Sequence, residues 1–299
     1  MELRALSIRV ARTPGLGMLP QVISQILRMV DNPNASPRQI GVLIERDPGL
    51  ASKLLKTANS TYYGSPGKIK TVSQAISAMG LSTVRSIVVS QAYQQMTAIR
   101  GASKRFDRLA FWQHSLAVAS ATRVLAKLKS YRDPEEAFLA GLMHDAGRLV
   151  MDRFMPNEFD QICTLALERM IPLIVAEQEI LGYTHVDIGD MLAEQWNLPD
   201  GLRTAIRRHH YPRESYSECA LGYLVCAGNV IAHQVGFALQ PPVIYEMPET
   251  VTHALGLPEA QLEGLKQVVL QEVMRTQEVL KIYPSTKLLI STPKVQRLT

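Results

Sequence analysis

Apolar residues recur every three to four positions along most of this chain, and that spacing is the strongest constraint on its fold. The spacing is typical of amphipathic helices that bury one face. Capping boxes at 36–39 (Ser-Pro-Arg-Gln) and 71–74 (Thr-Val-Ser-Gln) mark where individual helices begin. No alternating apolar and polar run is long enough to predict a sheet. The pattern therefore predicts an all-α fold.

A polar stretch at residues 100–104 divides the chain into two predicted parts. Residues 1–100 are expected to form a subdomain of short helices. Residues 101–240 are expected to form a helical bundle, with helices near 107–129, 135–152, 156–169, 173–181, 185–196, 199–210 and 218–235. Residues 241–299 are expected to form a Pro-rich connection, an amphipathic helix over 259–282 and a tail.

Composition places the chain among globular proteins. It has 299 residues, of which 46% are hydrophobic, and no apolar run approaches the length of a membrane-spanning helix. Residues 1–12 lack the apolar centre of a signal peptide, and the three cysteines form no CxxC pair. These features predict a cytoplasmic protein without membrane contact.

Charge is distributed unevenly along the chain. The first hundred residues carry 12 Lys and Arg but only four Asp and Glu. Such an excess suits an acidic partner or nucleic acid, but the cations are scattered rather than clustered, which favours a solvated surface.

Several histidines occupy informative positions. His114 shares a helix face with Phe111 and Val118, so it is expected to point inward, either bonded to a backbone carbonyl or acting as a ligand. His144 and Asp145 are predicted to lie on the helix side opposite the apolar face. Their neighbours on that side are small, and an exposed ion pair with Arg148 is the alternative interpretation.

Two further histidine positions complete the set. His185 lies in the predicted first turn of a helix, where a purely structural position is equally consistent with the pattern. His209 ends an apolar stripe and is followed by His210. Nitrogen and oxygen donors of these kinds suit a divalent metal such as iron, manganese, zinc, nickel or magnesium.

The order of these residues resembles the HD superfamily of metal-dependent phosphohydrolases: His114, His144-Asp145 within GLMHDAGRLV, His185, and His209-His210. The first part of the chain resembles, more narrowly, the HDOD family, the HD-related output domain of bacterial signalling proteins. Its signature is carried by Leu19-Pro20 and by residues 47–50, 54–60 and 74–80, and the match covers roughly residues 14–240.

The resemblance implies an N-terminal helical subdomain packed on an HD-like bundle, and a role in signal transduction with signalling proteins as partners. It also implies a metal site formed by His114, His144, Asp145, His185, His209 and His210. A phosphorylated or cyclic-nucleotide ligand would be held by Arg148 or Lys68.

Two residues depart from the pattern of active enzymes. Asn229 stands where HD phosphohydrolases have a final aspartate ligand, and an amide adds no charge. Arg148 stands where the HD-GYP phosphodiesterases use a lysine, and an arginine cannot donate its proton. Both changes argue against hydrolysis, and no catalytic residue is predicted.

Three functions remain open from the sequence. The favoured hypothesis is a signalling module that binds partner proteins and retains an HD-type metal site. The second is a metal-dependent phosphohydrolase or phosphodiesterase. The third is nucleic-acid binding by a helix-turn-helix-like segment, in which Lys53, Lys56 and Asn59 would face a groove, although Leu50, Leu54 and Leu55 already explain that helix as core.

Three other features receive weaker interpretations. The adjacent Tyr62 and Tyr63 are expected to dock on the second part of the chain or to form an exposed contact, with docking slightly favoured. His233 and His253 fall outside the family pattern and are assigned no role.

Overall fold

A computed structural model of the chain describes residues 2–13, 21–29, 36–63, 67–99, 101–212, 215–239, 243 and 245–280. Within these residues every regular element is helical, which confirms the predicted all-α class. The predicted tail lies outside the described residues. The first part contains α1 (Leu3–Ala11), α2 (Gln21–Arg28), α3 (Pro37–Glu45), α4 (Pro48–Ala58), a 3-10 turn (Thr61–Tyr63), α5 (Val72–Met79) and α6 (Leu81–Ala98).

The second part contains ten helices among the described residues. They are α7 (Arg108–Leu128), α8 (Pro134–Met143), α9 (Ala146–Phe154), α10 (Pro156–Arg169), α11 (Leu173–Leu181), α12 (His185–Gln195), α13 (Asp200–Arg208), α14 (Tyr216–Gln234), α15 (Glu249–Leu255) and α16 (Glu259–Leu280).

Side-chain caps start the short helices where the sequence predicts. Ser36 accepts a hydrogen bond from the backbone N–H of Gln39 at the start of α3, and Thr71 does the same for Gln74 at the start of α5. Asp47 caps α4 through the backbone N–H groups of Gly49 and Leu50. Local sequence therefore defines the elements of the first part, and their buried apolar faces hold them together.

The predicted division near residue 100 stays a prediction, because one apolar core runs through both parts. Helix α6 packs on α7 and α8, and α1 packs on α9 and α12 of the second part. Gln195 donates a hydrogen bond to the carbonyl of Ser7, which fixes α1 against α12. The first helix of the chain thus belongs in space to the bundle.

Helix α7 is the centre of the bundle, and glycines let two helices approach it closely. A Cβ atom on Gly141 of α8 would lie 2.9 Å from the backbone of Val118 and Ala119, and one on Gly228 of α14 would lie 3.3 Å from the Val118 carbonyl. A side chain at either position would push the helices apart. The small residues around His144 therefore serve close packing, as the sequence predicts.

The helix predicted over 135–152 is wrong as a single element. The chain leaves the helical path at Asp145, whose backbone angles are φ −99° and ψ 14°, and α9 restarts at the next residue. This break turns His144 and Asp145 into the interior, where they are 0% and 1% exposed. The ion pair with Arg148, which the sequence offers as an exposed alternative, is consequently buried.

A buried arginine joins the bundle to its neighbours. Arg123 of α7 donates hydrogen bonds to Glu135 near the start of α8 and to Glu272 of α16. Tyr62 and Tyr63 of the 3-10 turn lie beside the same arginine, where they line a small cavity with residues of α6, α7, α8 and α16. This placement agrees with the favoured interpretation that the tyrosines dock on the second part.

Among the described residues, no single helix has the length and apolar composition needed to cross a membrane. Only α5 and α6 taken as a pair, with a bend of 120° between them, reach that length and composition.

Gly147 provides a test of the close approach between α9 and α12. A Cβ atom there would overlap the backbone carbonyl of His185 and lie 2.9 Å from the backbone nitrogen of Gly189. We expect Gly147→Ala to lower the free energy of unfolding by about 3 kcal/mol, because two backbones would have to separate. Urea denaturation measures this change.

The matched control is Gly264→Ala on α16, where an added Cβ would meet nothing within 4 Å. This substitution should raise stability by about 0.5–1 kcal/mol through the better helix propensity of alanine. Equal effects of the two substitutions would contradict the close packing of α9 on α12.

Candidate metal centre

The structure brings the six predicted ligand residues together from four regions of the chain. His114 comes from the middle of α7, and His185 from the first turn of α12. The other four lie where helices end, at the α8–α9 break (His144, Asp145) and after α13 (His209, His210). All are fully buried except His210, which is partly exposed.

Four of the histidines are oriented by hydrogen bonds at Nδ1. His114, His144 and His209 each face a backbone carbonyl, those of Phe237, Gly141 and Ile206, at 2.6–2.7 Å. A carbonyl accepts only, so each Nδ1 must donate its proton. In the neutral ring, Nε2 then carries the free lone pair, the form in which histidine binds a metal.

The fourth, His185, is oriented by a carboxylate. It donates from its backbone N–H and from Nδ1 to Oε2 of Glu177, at 2.8 and 2.5 Å. A carboxylate behind the ring increases the basicity of the opposite nitrogen, Nε2. His185 is therefore expected to be the strongest nitrogen donor of the set.

The Asp145 carboxylate lies at the centre of the Nε2 atoms. Its Oδ1 lies 3.1 Å from Nε2 of His185 and 3.6 Å from that of His209. Its Oδ2 lies 3.4 Å from Nε2 of His144 and 3.7 Å from that of His114. Two donor groups share this one carboxylate: Asp145 with His185, His209 and His210, and Asp145 with His114 and His144.

In the first donor group, the Nε2 atoms of neighbouring histidine rings lie close together. Nε2 of His185 lies 3.3 Å from Nε2 of His209 and 3.2 Å from Nε2 of His210. Two neutral Nε2 acceptors cannot share a hydrogen bond, so contacts this short need a proton or a cation between them. The donor chemistry of the site, imidazole with one carboxylate, fits a transition metal.

Burial keeps most of these imidazoles neutral. It lowers the pKa of His114 and of His144 to about 3, because the interior disfavours a charged ring. It also lowers the pKa of His209 and takes that of His210 well below its usual value. Neutral rings at pH 7 are ready to bind a cation.

Asp145 and His185 keep their charged forms in spite of burial. Burial opposes the charge on Asp145, yet Arg148 and the nearby histidines hold its pKa well below its usual range. Burial also opposes the charged form of His185, but the carboxylates of Glu177 and Asp145 together outweigh it and raise the pKa of that ring. A cation at Nε2 would have to displace this proton.

Arg148 lies beside the centre and is itself buried. Its Nη1 donates to Oδ2 of Asp145 at 2.5 Å, and its Nε lies 3.5 Å from Oε1 of Glu177. The guanidinium therefore already neutralises the carboxylate oxygen that faces His114 and His144. This contact replaces the exposed ion pair that the sequence left open.

Two residues of the site, Glu177 and His233, are not among those predicted from the sequence. Glu177 shares its helix face with Leu173, Ala176 and Ile180, and an acidic residue within such an apolar stripe is the signal that could have found it. His233, assigned no role from the sequence, has its ring centroid 4.9 Å from that of His114.

The other face of the His233 ring is also covered. Tyr245 stacks on it at 3.9 Å between ring centroids. Asn229 lies one turn before His233 on α14, is 5% exposed, and has a side-chain oxygen without a hydrogen-bond partner among the described residues. It therefore lies on the side of α14 that faces His114.

Lys68 makes no hydrogen bond or ion pair with the donor residues in the described structure, so its role in holding an anion stays a prediction. Its loop is held to the end of α4, where the Asn59 side chain bonds the backbone N–H and carbonyl of Ile69. Lys68 itself is exposed. The same bonds occupy Asn59, which the nucleic-acid hypothesis would place in a groove.

The metal-free protein is expected to lose stability as the pH falls from 7 to 5. The unfolded chain protonates His114, His144 and His233 near pH 6.5, whereas burial lowers their folded pKa values to about 3, 3 and 2. The unfolded state thus binds more protons, and below about pH 6 the free energy of unfolding falls by about 1.4 kcal/mol per pH unit for each of these histidines, while His185, whose pKa is raised in the folded protein, offsets one of them. Urea denaturation in a chelator across this range measures the slope.

His233→Gln should reduce that slope by about 1.4 kcal/mol per pH unit, which is the contribution of one proton. The control is His253→Gln, since His253 is exposed on α15. A stability independent of pH between 7 and 5 would contradict the buried neutral state of these rings.

Comparison with known proteins agrees with this architecture. A profile of the HDOD domain matches residues 16–212. An uncharacterized protein of Treponema pallidum (strain Nichols) is 26% identical over 200 residues, which are 67% of this chain and 38% of that protein. The chain thus spans well under half the length of this relative.

Solved structures share the fold. An HDOD domain protein of unknown function from Geobacter sulfurreducens superimposes with a TM-score of 0.72 at 20% identity, over 95% of this chain and 98% of its own. A proposed signal transduction protein from Marinobacter aquaeolei VT8 gives 0.71 at 24% identity, over 88% and 59% of the two chains.

A proposed phosphohydrolase from Shewanella amazonensis SB2B gives a TM-score of 0.70 at 23% identity, over 92% of this chain and 98% of that one. These likenesses show the fold, and the profile match covers most of the chain. Together with the order and geometry of the histidines, they establish that the chain belongs to the HDOD family.

Proposed function

We propose that this protein is a regulatory signalling protein that acts by binding partner proteins, and that it carries one HD-type divalent metal ion. The observation that carries the metal assignment is the convergence of four donor atoms on one point. They are Oδ1 of Asp145 and Nε2 of His185, His209 and His210.

The spacing of these atoms supports a tetrahedral site. A tetrahedral cation with bonds of 2.0–2.1 Å has its ligand atoms about 3.3–3.4 Å apart. The four separations within this group given above run from 3.1 to 3.6 Å. One carboxylate with three imidazoles suits zinc, iron, manganese or nickel better than magnesium, which prefers oxygen ligands.

The second donor group is less suited to a cation. It offers only His114, His144 and Oδ2 of Asp145, and Arg148 already donates to that oxygen. A cation there would lie against a buried positive guanidinium, and the two charges would repel. Arg148 therefore favours one metal ion per chain over two.

A divalent ion held by all four donors of the first group would have no open tetrahedral position for water, so it would supply a buried positive charge rather than an activated nucleophile. The protein's own residues orient and shield that position. Glu177 holds His185, the Ile206 carbonyl holds His209, and burial excludes bulk water from all but the side of His210.

A second candidate function is metal-dependent hydrolysis of a phosphate ester. It is favoured by the second donor group, because two metal ions sharing one carboxylate form a recurrent centre for such reactions. The number of metal ions bound therefore distinguishes the two candidates.

A groove in the first part of the chain supports partner binding. It lies between α2 and α3, where Val42 is 46% exposed beside Met29 and Leu43. Arg38 and Arg46 border it, and none of the lining residues that the structure describes is acidic. An amphipathic, acidic segment of a partner protein matches this apolar and basic surface.

Elemental analysis of protein purified without chelator or affinity nickel tests the metal centre. We expect about one transition-metal ion per chain, bound by neutral imidazoles and Asp145. Asp145→Asn and His185→Ala should lose it, and His253→Gln should keep it. Glu177→Gln should weaken metal affinity about 10–100-fold, because His185 loses its orienting carboxylate.

Two ions per chain in the wild type, together with turnover of a phosphodiester that Asp145→Asn abolishes, would support hydrolysis instead. Absence of metal from the wild type, after reloading with zinc, iron and manganese in turn, would contradict the proposed centre.

Partner binding is tested by cross-linking in the native cell followed by mass spectrometry. Val42→Glu should reduce the captured partner about tenfold, because it introduces a negative charge into the apolar groove. The matched control is Val175→Glu on α11, where the valine is 45% exposed and lies outside the groove. Equal capture by both variants would place the partner elsewhere.

A further inference from the structure

A cavity beside the metal centre has no role in the proposed function. It lies among the segment before α7, helices α9, α10 and α11, and the chain that follows α14, with a volume of about 160 Å³. Apolar residues form most of its wall, among them Phe159, Leu167, Leu173 and Leu239. A cavity of this size accommodates a group as large as a benzene ring.

Two arginines line the cavity, one at the protein surface and one in the interior. Arg105 is exposed, and Arg148 is 5% exposed. Asp107 is the one carboxylate among the described lining residues, and its Oδ1 already accepts hydrogen bonds from the backbone at the start of α7. The cavity thus leads from a basic surface residue past apolar walls to a buried guanidinium.

Arg148 is incompletely bonded where it reaches the cavity. It donates to Asp145, but within the described part of the chain its Nε has no hydrogen-bond partner, and neither has Oε1 of Glu177, which lies 3.5 Å away. A guanidinium has five donors, so bonds remain for a ligand. Buried donors of this kind are normally satisfied by a protein group, water or a bound molecule.

The charges of the buried residues indicate the charge of that ligand. With a divalent ion in place, the ion and Arg148 contribute three positive charges against one negative charge each on Asp145 and Glu177. The neutral histidines add none. One uncompensated positive charge inside the protein is costly, and a bound monoanion would neutralise it.

We propose that this cavity binds a small organic monoanion, a carboxylate or a phosphodiester, whose anionic group pairs with Arg148 and whose ring-sized apolar group contacts Phe159, Leu167, Leu173 and Leu239. The inference rests on the proposed function, because it names the chemical class of signal that the regulatory protein would sense.

The wall of the cavity adjoins the supports of the metal ligands. Leu173 lies one turn before Glu177, which orients His185, and Leu239 lies two residues after Phe237, whose carbonyl orients His114. A ligand that moves these residues would also shift the donor atoms. The anion also offsets the positive charge that the metal ion adds, so binding of the two is coupled and each strengthens the other.

Calorimetric titration of the full-length, metal-loaded protein tests the proposal. The probes are phenylacetate, methyl phenyl phosphate, inorganic phosphate and benzyl alcohol at pH 7. We expect at least one of the two organic monoanions to bind about tenfold more tightly than inorganic phosphate or benzyl alcohol, since only these probes satisfy both arginine and wall. Which one binds more tightly identifies the anionic group.

Leu167→Trp should weaken that binding about tenfold by filling the cavity. Leu167 is 46% exposed, so the substitution leaves the core intact, and Val175→Trp is the matched control at 45% exposure. Removal of the metal ion should also weaken binding. Equal affinity for benzyl alcohol and the anions, or for the two tryptophan variants, would overturn the proposal.

Cys163 provides an independent measurement because it lines the cavity, whereas Cys219 and Cys226 are buried. Alkylation by iodoacetamide, followed by mass spectrometry of the Cys163 peptide, should slow about threefold in saturating phenylacetate or methyl phenyl phosphate. Unchanged alkylation with both would overturn the proposal. Metal content is measured on the same samples, so loss of anion binding with metal retained contradicts this inference alone.

Discussion

The buried carboxylate of Asp145 is the interaction on which the rest of this structure depends. Its oxygens lie within 3.7 Å of the Nε2 atoms of His114, His144, His185 and His209, and Arg148 donates to it directly. A buried negative charge is stable only when positive or donating groups surround it. Arg148 of α9 and the ring of His185 on α12 supply such groups, and a cation bound to Asp145 and His209 would add α13 to the same electrostatic contact.

Glycines make this convergence sterically feasible. Gly141 and Gly228 let α8 and α14 approach the centre of α7, and Gly147 brings α9 against the first turn of α12. The break at Asp145 then directs two polar side chains inward from consecutive positions. The glycines that allow the helices to pack closely therefore also position the site, because Gly141 and Gly147 flank His144 and Asp145.

Much of this could be predicted from sequence, since helix class and capping depend on local spacing. The family assignment also follows from ordered motifs. The inward direction of His114 and the stripe ending at His209 come from the same periodicity. Whether these residues bind metal stays a prediction, because convergence of donors establishes a suitable site and not its occupant.

Other features depend on contacts between distant segments, and local patterns do not determine them. The packing of α1 on α12 and the proximity of His233 to His114 are of this kind. Glu177 is an intermediate case, because a carboxylate within an apolar stripe predicts that a buried partner exists but does not identify the partner residue. The break at 144–145 escaped prediction because the apolar spacing continues across it.

The hydrogen bond from His114 to the Phe237 carbonyl spans 123 residues of sequence and has a consequence for the order in which the protein is made. During synthesis the donor residues up to His210 emerge before the group that orients the first of them. A nascent chain would thus expose a nearly complete set of imidazoles while His114 is still free to rotate. The second donor group, which contains His114, therefore reaches its final geometry only after α14 has left the ribosome, whereas the residues of the first group have all emerged by His210.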